Sequence, residues 1–241
     1  MPGRVPDRRG PCAGAVPGDT GGECGRDRPP PSDPRAVARD VRAWDRPAAG
    51  PAVPAPPPTI LPALPLSRRV EAAALVWSAF GTAVAPGAPP RAGVALLRRC
   101  LARDRVLAAV GPDRQLLGVV ALRVAAGGLI DARPAARGAI LGPAARWRDR
   151  AAALVPSPPA TCDAVLDGLV VMPAARRQGV AAALVGAAAT SARRQGYPGL
   201  RAEVAPRNVQ ALRLYRRLGF QPAGRVRTGW LRHALVLRLP L

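Results

Sequence analysis

Val170-Val171-Met172-Pro173-Ala174-Ala175-Arg176-Arg177-Gln178-Gly179-Val180-Ala181 is the stretch whose reading decides the fold. Residues 165–172 are apolar almost throughout, as in a strand buried on both faces. Pro173 ends that strand, because proline has no N–H to give to a sheet ladder. A short Arg/Gly turn follows, and from Gly179 the pattern predicts a helix to residue 194, with Ala181 and Ala182 in its first turn. Such a strand–turn–helix is an anion-binding device. The first N–H groups of a helix have no internal partner, and the helix dipole is positive there. Gly179 and Ala181 lack bulk, so a pyrophosphate can approach the backbone, and Arg176 and Arg177 add charge. The spacing is neither that of a Walker A loop nor that of a dinucleotide-binding glycine fingerprint.

Working outward, residues 200–204 read as a strand, 208–218 as a helix, 220–226 as a strand and 231–239 as a last strand. Upstream, residues 59–61 suggest a short first strand. Ser67 is placed to cap a helix in which Val70, Ala73, Ala74, Trp77 and Phe80 repeat at helical spacing. Gly81 and the prolines of 86–90 are expected to break it, with a second helix over 91–103. Residues 106–110 and 115–124 read as a hairpin around a 111–114 turn, 132–155 as one or two short helices interrupted by Pro134 and Pro143, and 156–159 as a linker. The order is α/β with a mixed sheet, and no internal repeat is present.

Composition separates a tail from a domain. Sixteen of the thirty prolines fall in residues 1–66, including Pro29-Pro30-Pro31, and apolar residues there show no period. Residues 1–58 are therefore expected to be a disordered Pro/Arg/Gly-rich tail, and 59–241 the domain. The tail has two open readings: a peptide-recognition segment, or translation from a start codon placed too far upstream. All 36 basic residues are arginine. Residues 1–66 hold nine Arg and seven acids, a net of +2, whereas 67–241 hold twenty-seven Arg and eight acids, a net of +19. The excess sits in the part that folds, where it favours a polyanionic ligand or simply a solvated basic surface. Aromatic residues are only 3% of the chain, so the core must be built from Ala, Val and Leu. Cys12, Cys24, Cys100 and Cys162 form no CxxC pair, and there is one histidine, so neither a zinc site nor a disulfide framework is expected. With no readable secretory signal and no apolar run of membrane length, the expected location is cytoplasmic.

The turn resembles the acyl-CoA-binding motif of the GCN5-related N-acetyltransferase (GNAT) superfamily, an Arg/Gln-x-x-Gly-x-Gly/Ala signature that reads here Arg176-Arg177-Gln178-Gly179-Val180-Ala181. The likeness continues in Leu200-Arg201-Ala202-Glu203-Val204, in Asn208, and in Ala211-Leu212-Arg213-Leu214-Tyr215-Arg216-Arg217-Leu218-Gly219-Phe220. Leu166-Asp167-Gly168 and Trp230-Leu231-Arg232-His233 are similar to a bacterial subgroup of that superfamily whose members mostly lack an assigned reaction. The resemblance is sharp over 166–220 and covers roughly 59–241. It departs from the family at Ala181, where Gly is commoner, and in the Ala- and Arg-rich 132–155 segment.

The resemblance implies a mixed, mostly antiparallel sheet splayed between its fourth and fifth strands and flanked by helices. It implies an N-acetyltransferase that moves an acetyl group from acetyl-CoA to an amine acceptor by direct attack in a ternary complex, as a monomer or homodimer, without a metal. The pantetheine arm would pair with the backbone of Val170, Val171 and Met172. The pyrophosphate would sit on the N–H groups around Arg177, Gln178, Gly179, Val180, Ala181 and Ala182, beside Arg176. Asn208 would hydrogen-bond the cofactor arm, and Tyr215 would stand near the thioester sulfur as proton donor. Asp167 is the leading candidate for general base or water-holder, or else a structural residue at a bulge with Gly168; Glu203 is a weaker one. His233 and Cys162 read as structural. The alternative is a non-catalytic acyl-CoA-binding module or a basic nucleic-acid-binding one; nucleic acid is not the expected partner, and no membrane is implied.

Overall fold

A computed structural model describes residues 57–85, 87–124, 127–130, 161–227 and 233–241. The expected tail, the 132–155 helices, the 156–159 linker and Trp230-Leu231-Arg232 lie outside the described residues, apart from the last two residues of the tail. Seven strands, β1 (Thr59–Leu61), β2 (Val106–Val110), β3 (Leu116–Arg123), β4 (Ala164–Val171), β5 (Gly199–Val204), β6 (Gln221–Arg227) and β7 (His233–Pro240), form one sheet in the order β1-β2-β3-β4-β5-β7-β6. Every neighbouring pair is antiparallel except β4–β5, which is parallel. Among the described residues four α-helices cover the sheet: α1 (Arg69–Val84), α2 (Pro90–Cys100), α3 (Val180–Arg194) and α4 (Val209–Arg217).

The two faces of the sheet hold separate cores. On one, α3 and α4 pack Val180, Leu184, Val185, Ala188, Ala192, Leu212 and Tyr215 against Leu122, Leu166, Leu200, Ala202, Leu235 and Leu237. On the other, α1 and α2 set Ala72, Ala73, Val76 and Leu97 against Val106, Ala108, Val119, Ala121 and Val170. The small residues along α3 and α1 let the helices lie close to the sheet, replacing the aromatic bulk that the composition denies.

Local chemistry explains where the elements differ from the expected ones. Ser67 does not cap α1. It lies in a 3-10 turn, Leu66–Arg68, behind Pro65, and Arg68 takes the capping position without a side-chain bond. Gly81 does not break α1 either. A Cβ there would stand 2.8 Å from the Trp77 ring, and one at Gly93 of α2 would overlap it, so the two glycines form the notch that seats the Trp77 indole between the helices. The second helix begins at Pro90, whose fixed φ suits a first helical residue, and ends at Cys100 rather than 103. Leu101 turns extended to bridge Ile130, and Arg103 exchanges bonds with the Leu64 backbone instead of continuing the helix.

Two features shape the region between β4 and β5. Gly168, at φ +85°, carries a bulge in β4: one residue of β3, Val120, stands opposite two of β4, Gly168 and Leu169, between the Val119–Val170 and Ala121–Asp167 pairs. The extra residue reverses the inside–outside alternation, so that Val170 joins the α1/α2 core although Leu166 faces α3. At the other end, Asp163 holds Arg238 through two bonds, 2.7 and 2.8 Å, and Arg238 also donates to Pro198 O. This bridge ties the start of β4 to β7 across Gly199, where a Cβ would collide with Asp163 Oδ1.

The same substitution is expected to act with opposite sign at two helical glycines. Gly93→Ala, forced against Trp77, should destabilise by about 1–3 kcal/mol. Gly186→Ala, exposed on α3 with nothing within 4 Å of its new Cβ, should stabilise by about 0.5–1 kcal/mol. Thermal unfolding followed by circular dichroism checks both.

Candidate functional site

β4 and β5 pair only at Ala164–Leu200, Val165–Arg201 and Leu166–Ala202. Beyond that point β4 runs on through Val171 and β5 through Val204 without bonding each other, which leaves a gap in the middle of the sheet with backbone groups open to a ligand. Of Val170, Val171 and Met172, one turns its backbone toward this gap. Met172 N–H donates to Leu117 O at 2.8 Å, which commits that residue to β3. Backbone groups alternate along a strand, so Val170 also faces β3 and Val171 faces the gap. The exposed Arg176 reaches back to Val171 O with its Nε, at a long 3.4 Å.

The turn between β4 and α3 is open. After a 3-10 turn at Pro173–Ala175, Arg177 (φ +63°) and Gly179 (φ +79°) both take left-handed conformations, and Gly179 caps α3. Residues 176–179 form a turn, and among the described residues no N–H from Arg177 to Ala182 makes a short, well-aligned bond to a backbone carbonyl; the first such bond of the helix is Ala183 N–H to Gly179 O. Arg176, Arg177, Gln178 and Gly179 are exposed, and the first turn of α3 contains no acid. Gln178 braces the turn by donating to Ala174 O at 2.8 Å. A Cβ built on Gly179 meets nothing within 4 Å. The site therefore offers a nest of unbonded N–H groups, free space and flanking cations, which suits a pyrophosphate.

Asn208, exposed and four residues past the end of β5, is the N-cap of α4. Its Oδ1 accepts from Ala211 N–H at 3.2 Å, which leaves the Nδ2 donors facing solvent. Tyr215, one face of α4 inward, is 5% exposed and lies against Phe220, ring centroids 5.0 Å apart. Burial pushes its phenol well above the usual range. Asp167 is the first β4 residue past the last β4–β5 pair, and its Oδ2 accepts from Leu129 N–H at 2.9 Å, so one carboxylate oxygen is committed to the 127–130 bend and the other remains. Glu203, the first β5 residue past that pair, is not on a solvated face: it is 14% exposed and lies 3.0 Å from Arg201 and 3.5 Å from Arg123. His233 is exposed at the start of β7. Sequence reasoning did not find Arg123, Arg201 or the Asp163–Arg238 bridge. The visible signal was the polar alternation of Arg201 and Glu203 within an otherwise buried strand. Among the described residues there is no group of three His, Cys, Asp or Glu able to hold a metal, and no helix is long and apolar enough to cross a membrane.

Residues 133–220 match the model of the Acetyltransferase (GNAT) family, and 133–160 of that match lie outside the described residues. The fold is similar to that of an N-acetyltransferase from Staphylococcus aureus, with a TM-score of 0.55 and 14% identity, covering 75% of this chain and 100% of that one. It is also similar to a histone acetyltransferase and related acetyltransferase from Corynebacterium glutamicum, with a TM-score of 0.52 and 21% identity, covering 77% and 97%. No curated protein matches the chain.

Two stability measurements test the placement of Asn208 and Tyr215. Asn208→Ala should cost about 1 kcal/mol through the lost cap, whereas Asn208→Asp should retain it. Because the folded state raises the phenol of Tyr215, its contribution is full below the unfolded value of about 10 and is lost as pH rises above it. Denaturant midpoints should therefore fall above about pH 10, and fall less in Tyr215→Phe.

Proposed function

Because the chain belongs to the GCN5-related N-acetyltransferase superfamily, we propose that it transfers an acetyl group from acetyl-CoA to the amine of an acceptor, with both bound at once. The observation that carries this reading is the unbonded, acid-free N–H nest of residues 177–182 at the end of a strand whose edge is freed by the gap. The diphosphate of acetyl-CoA fits the nest, Val171 offers backbone groups to the pantetheine amides, and the Asn208 Nδ2 donors lie on the opposite wall. Residues 59–241 are the catalytic domain in this reading, and 1–58 a tail.

The amine nitrogen attacks the thioester carbonyl, the C–S bond breaks, the new amide forms, and one proton of the amine ends on CoA as its thiol. Backbone N–H groups at the gap can hold the oxyanion, and positioning supplies much of the rate. Asp167, through its uncommitted oxygen or a water on it, takes one proton from the incoming ammonium form of the acceptor and so frees the nitrogen lone pair for attack. Tyr215 has a narrower task than full proton donation. A phenol raised by burial stays protonated, so it can give a hydrogen bond to the departing sulfur, but it is a weaker acid than a thiol of about 8.5. Proton delivery to sulfur then falls to the ammonium formed in the attack.

Isothermal titration with acetyl-CoA tests the cofactor site. The wild type should bind, and Gly179→Glu should weaken binding by about ten- to a hundredfold, because charged hydrogen bonds of about 1.5–3 kcal/mol are lost and a like charge is added. Gly179→Asn tolerates the left-handed backbone and controls for strain. Failure of the folded wild type to bind sinks the transferase reading and directs attention to salt-dependent nucleic-acid binding. Once an acceptor is in hand, Tyr215→Phe should lower kcat by about ten- to a hundredfold, the loss of one hydrogen bond of about 1.5–3 kcal/mol to the developing thiolate, with little change in acetyl-CoA affinity.

A further inference from the structure

The face of the sheet away from α3 and α4 carries charge at the point where the gap opens. Arg123, Val165 and Arg201 are paired in one row across β3, β4 and β5. Glu203 lies two residues beyond Arg201 and so on the same face, as Asp167 does beyond Val165. The Glu203 carboxylate stands between two guanidiniums, 3.0 Å from Arg201 Nη2 and 3.5 Å from Arg123 Nη2. The side chains of Arg201 and Glu203 are 12% and 14% exposed and that of Arg123 is 34% exposed, so the group is largely withdrawn from water yet open from one side. One carboxylate serves two cations, and the Nε of each arginine is buried without an acceptor. The other acid of this face, Asp167, is held by Leu129 N–H. Half-buried charge is stable when it is paired, and a second anion would complete this set.

α3 places a cofactor bound at its N-terminus on one side of the sheet, so an acceptor meets the thioester from the other side, where this charged group lies. We propose that the acceptor is an amine that also carries a carboxylate, of the amino-acid class, whose carboxylate docks on Arg123 and Arg201 and whose amine enters the gap beside Asp167. The inference rests on the acetyl-transfer reading. A diamine or other purely cationic acceptor would bring like charge onto the two guanidiniums. The arginines take no part in the bond changes: the amine nitrogen displaces CoA from the acetyl carbon, the carboxylate leaves unchanged, and the product is an N-acetyl acid.

The test measures CoA thiol release by the full chain at saturating acetyl-CoA, with the standard L-amino acids, their carboxamides and simple diamines. The amide has the more readily deprotonated amine, so a preference for the acid runs against intrinsic reactivity. The expected result is kcat/KM at least about tenfold higher for an acid than for its amide, carried by KM. In Arg123→Gln, on the most exposed member of the group, that ratio should collapse toward one, and Arg123→Lys should restore part of it. Arg201→Gln should do the same if circular dichroism shows it folded. Equal or better use of amides or diamines overturns the proposal. If nothing in the panel turns over, the thermal shift of the acetyl-CoA-loaded protein decides: stabilisation by acids but not by amides supports it, and no stabilisation by any acid overturns it. Absence of acetyl-CoA binding would be the separate failure of the reading beneath it.

Discussion

Three residues of parallel pairing hold β4 to β5, and the open gap in the sheet depends on that pairing stopping where it does. A sheet that continued the ladder would satisfy every backbone group internally and have nothing to offer a ligand. The separation must therefore be enforced from both ends. At the closed end the Asp163–Arg238 pair, with its two short bonds and its reach to Pro198, binds β4, β5 and β7 together, and a Cβ at position 199 would press on both of its side-chain ends. At the open end the Gly168 bulge bends β4 back onto β3, where Met172 and Val170 are committed. The strand diverges because its far half is held more firmly by the neighbour on the other side.

The bulge also assigns side chains to faces. Without the extra residue, Val170 would point toward α3 and Val171 toward α1, with backbone groups exchanged accordingly. With it, Val170 fills the α1/α2 core and the Val171 backbone looks into the gap. Asp167, just before the bulge, stays on the face where Arg201 and Glu203 lie, and its bond to Leu129 draws the 127–130 bend up against the mouth of the gap. A single left-handed glycine thus sets which side chains of β4 face each core and which backbone groups face the gap.

How much of this was legible follows from what each signal depends on. The strand–turn–helix at 170–181 is local: an apolar run, a proline stop, an Arg/Gly turn and a helix with small residues are readable because each acts within a few positions. The same holds for Asn208, whose capping role is written in its place before 209–217. Gly81 misled because a glycine in a helical pattern looks like a stop, whereas its reason is the Trp77 ring and a second glycine twelve residues on. Arg123 and Arg201 are 78 positions apart and meet only through register across three strands, so no spacing rule could join them. The backbone commitment of Met172 was hidden for the same reason.

Charge is also divided between the faces. The core on the α3/α4 side is built mainly from Leu, Val and Ala, and Arg176 and Arg177 sit exposed at the turn before α3, where a polyanion can reach them without desolvating an ion pair. The opposite side places arginines within the sheet, two of them sharing Glu203. Arginine suits both settings: it keeps its charge at any working pH, and its planar fork can hold one carboxylate while presenting further donors to another. An ammonium in the place of Arg201 would be a point charge, largely spent on Glu203. A guanidinium keeps donors beyond the one that faces Glu203, and these are the donors that the proposed acceptor carboxylate would use.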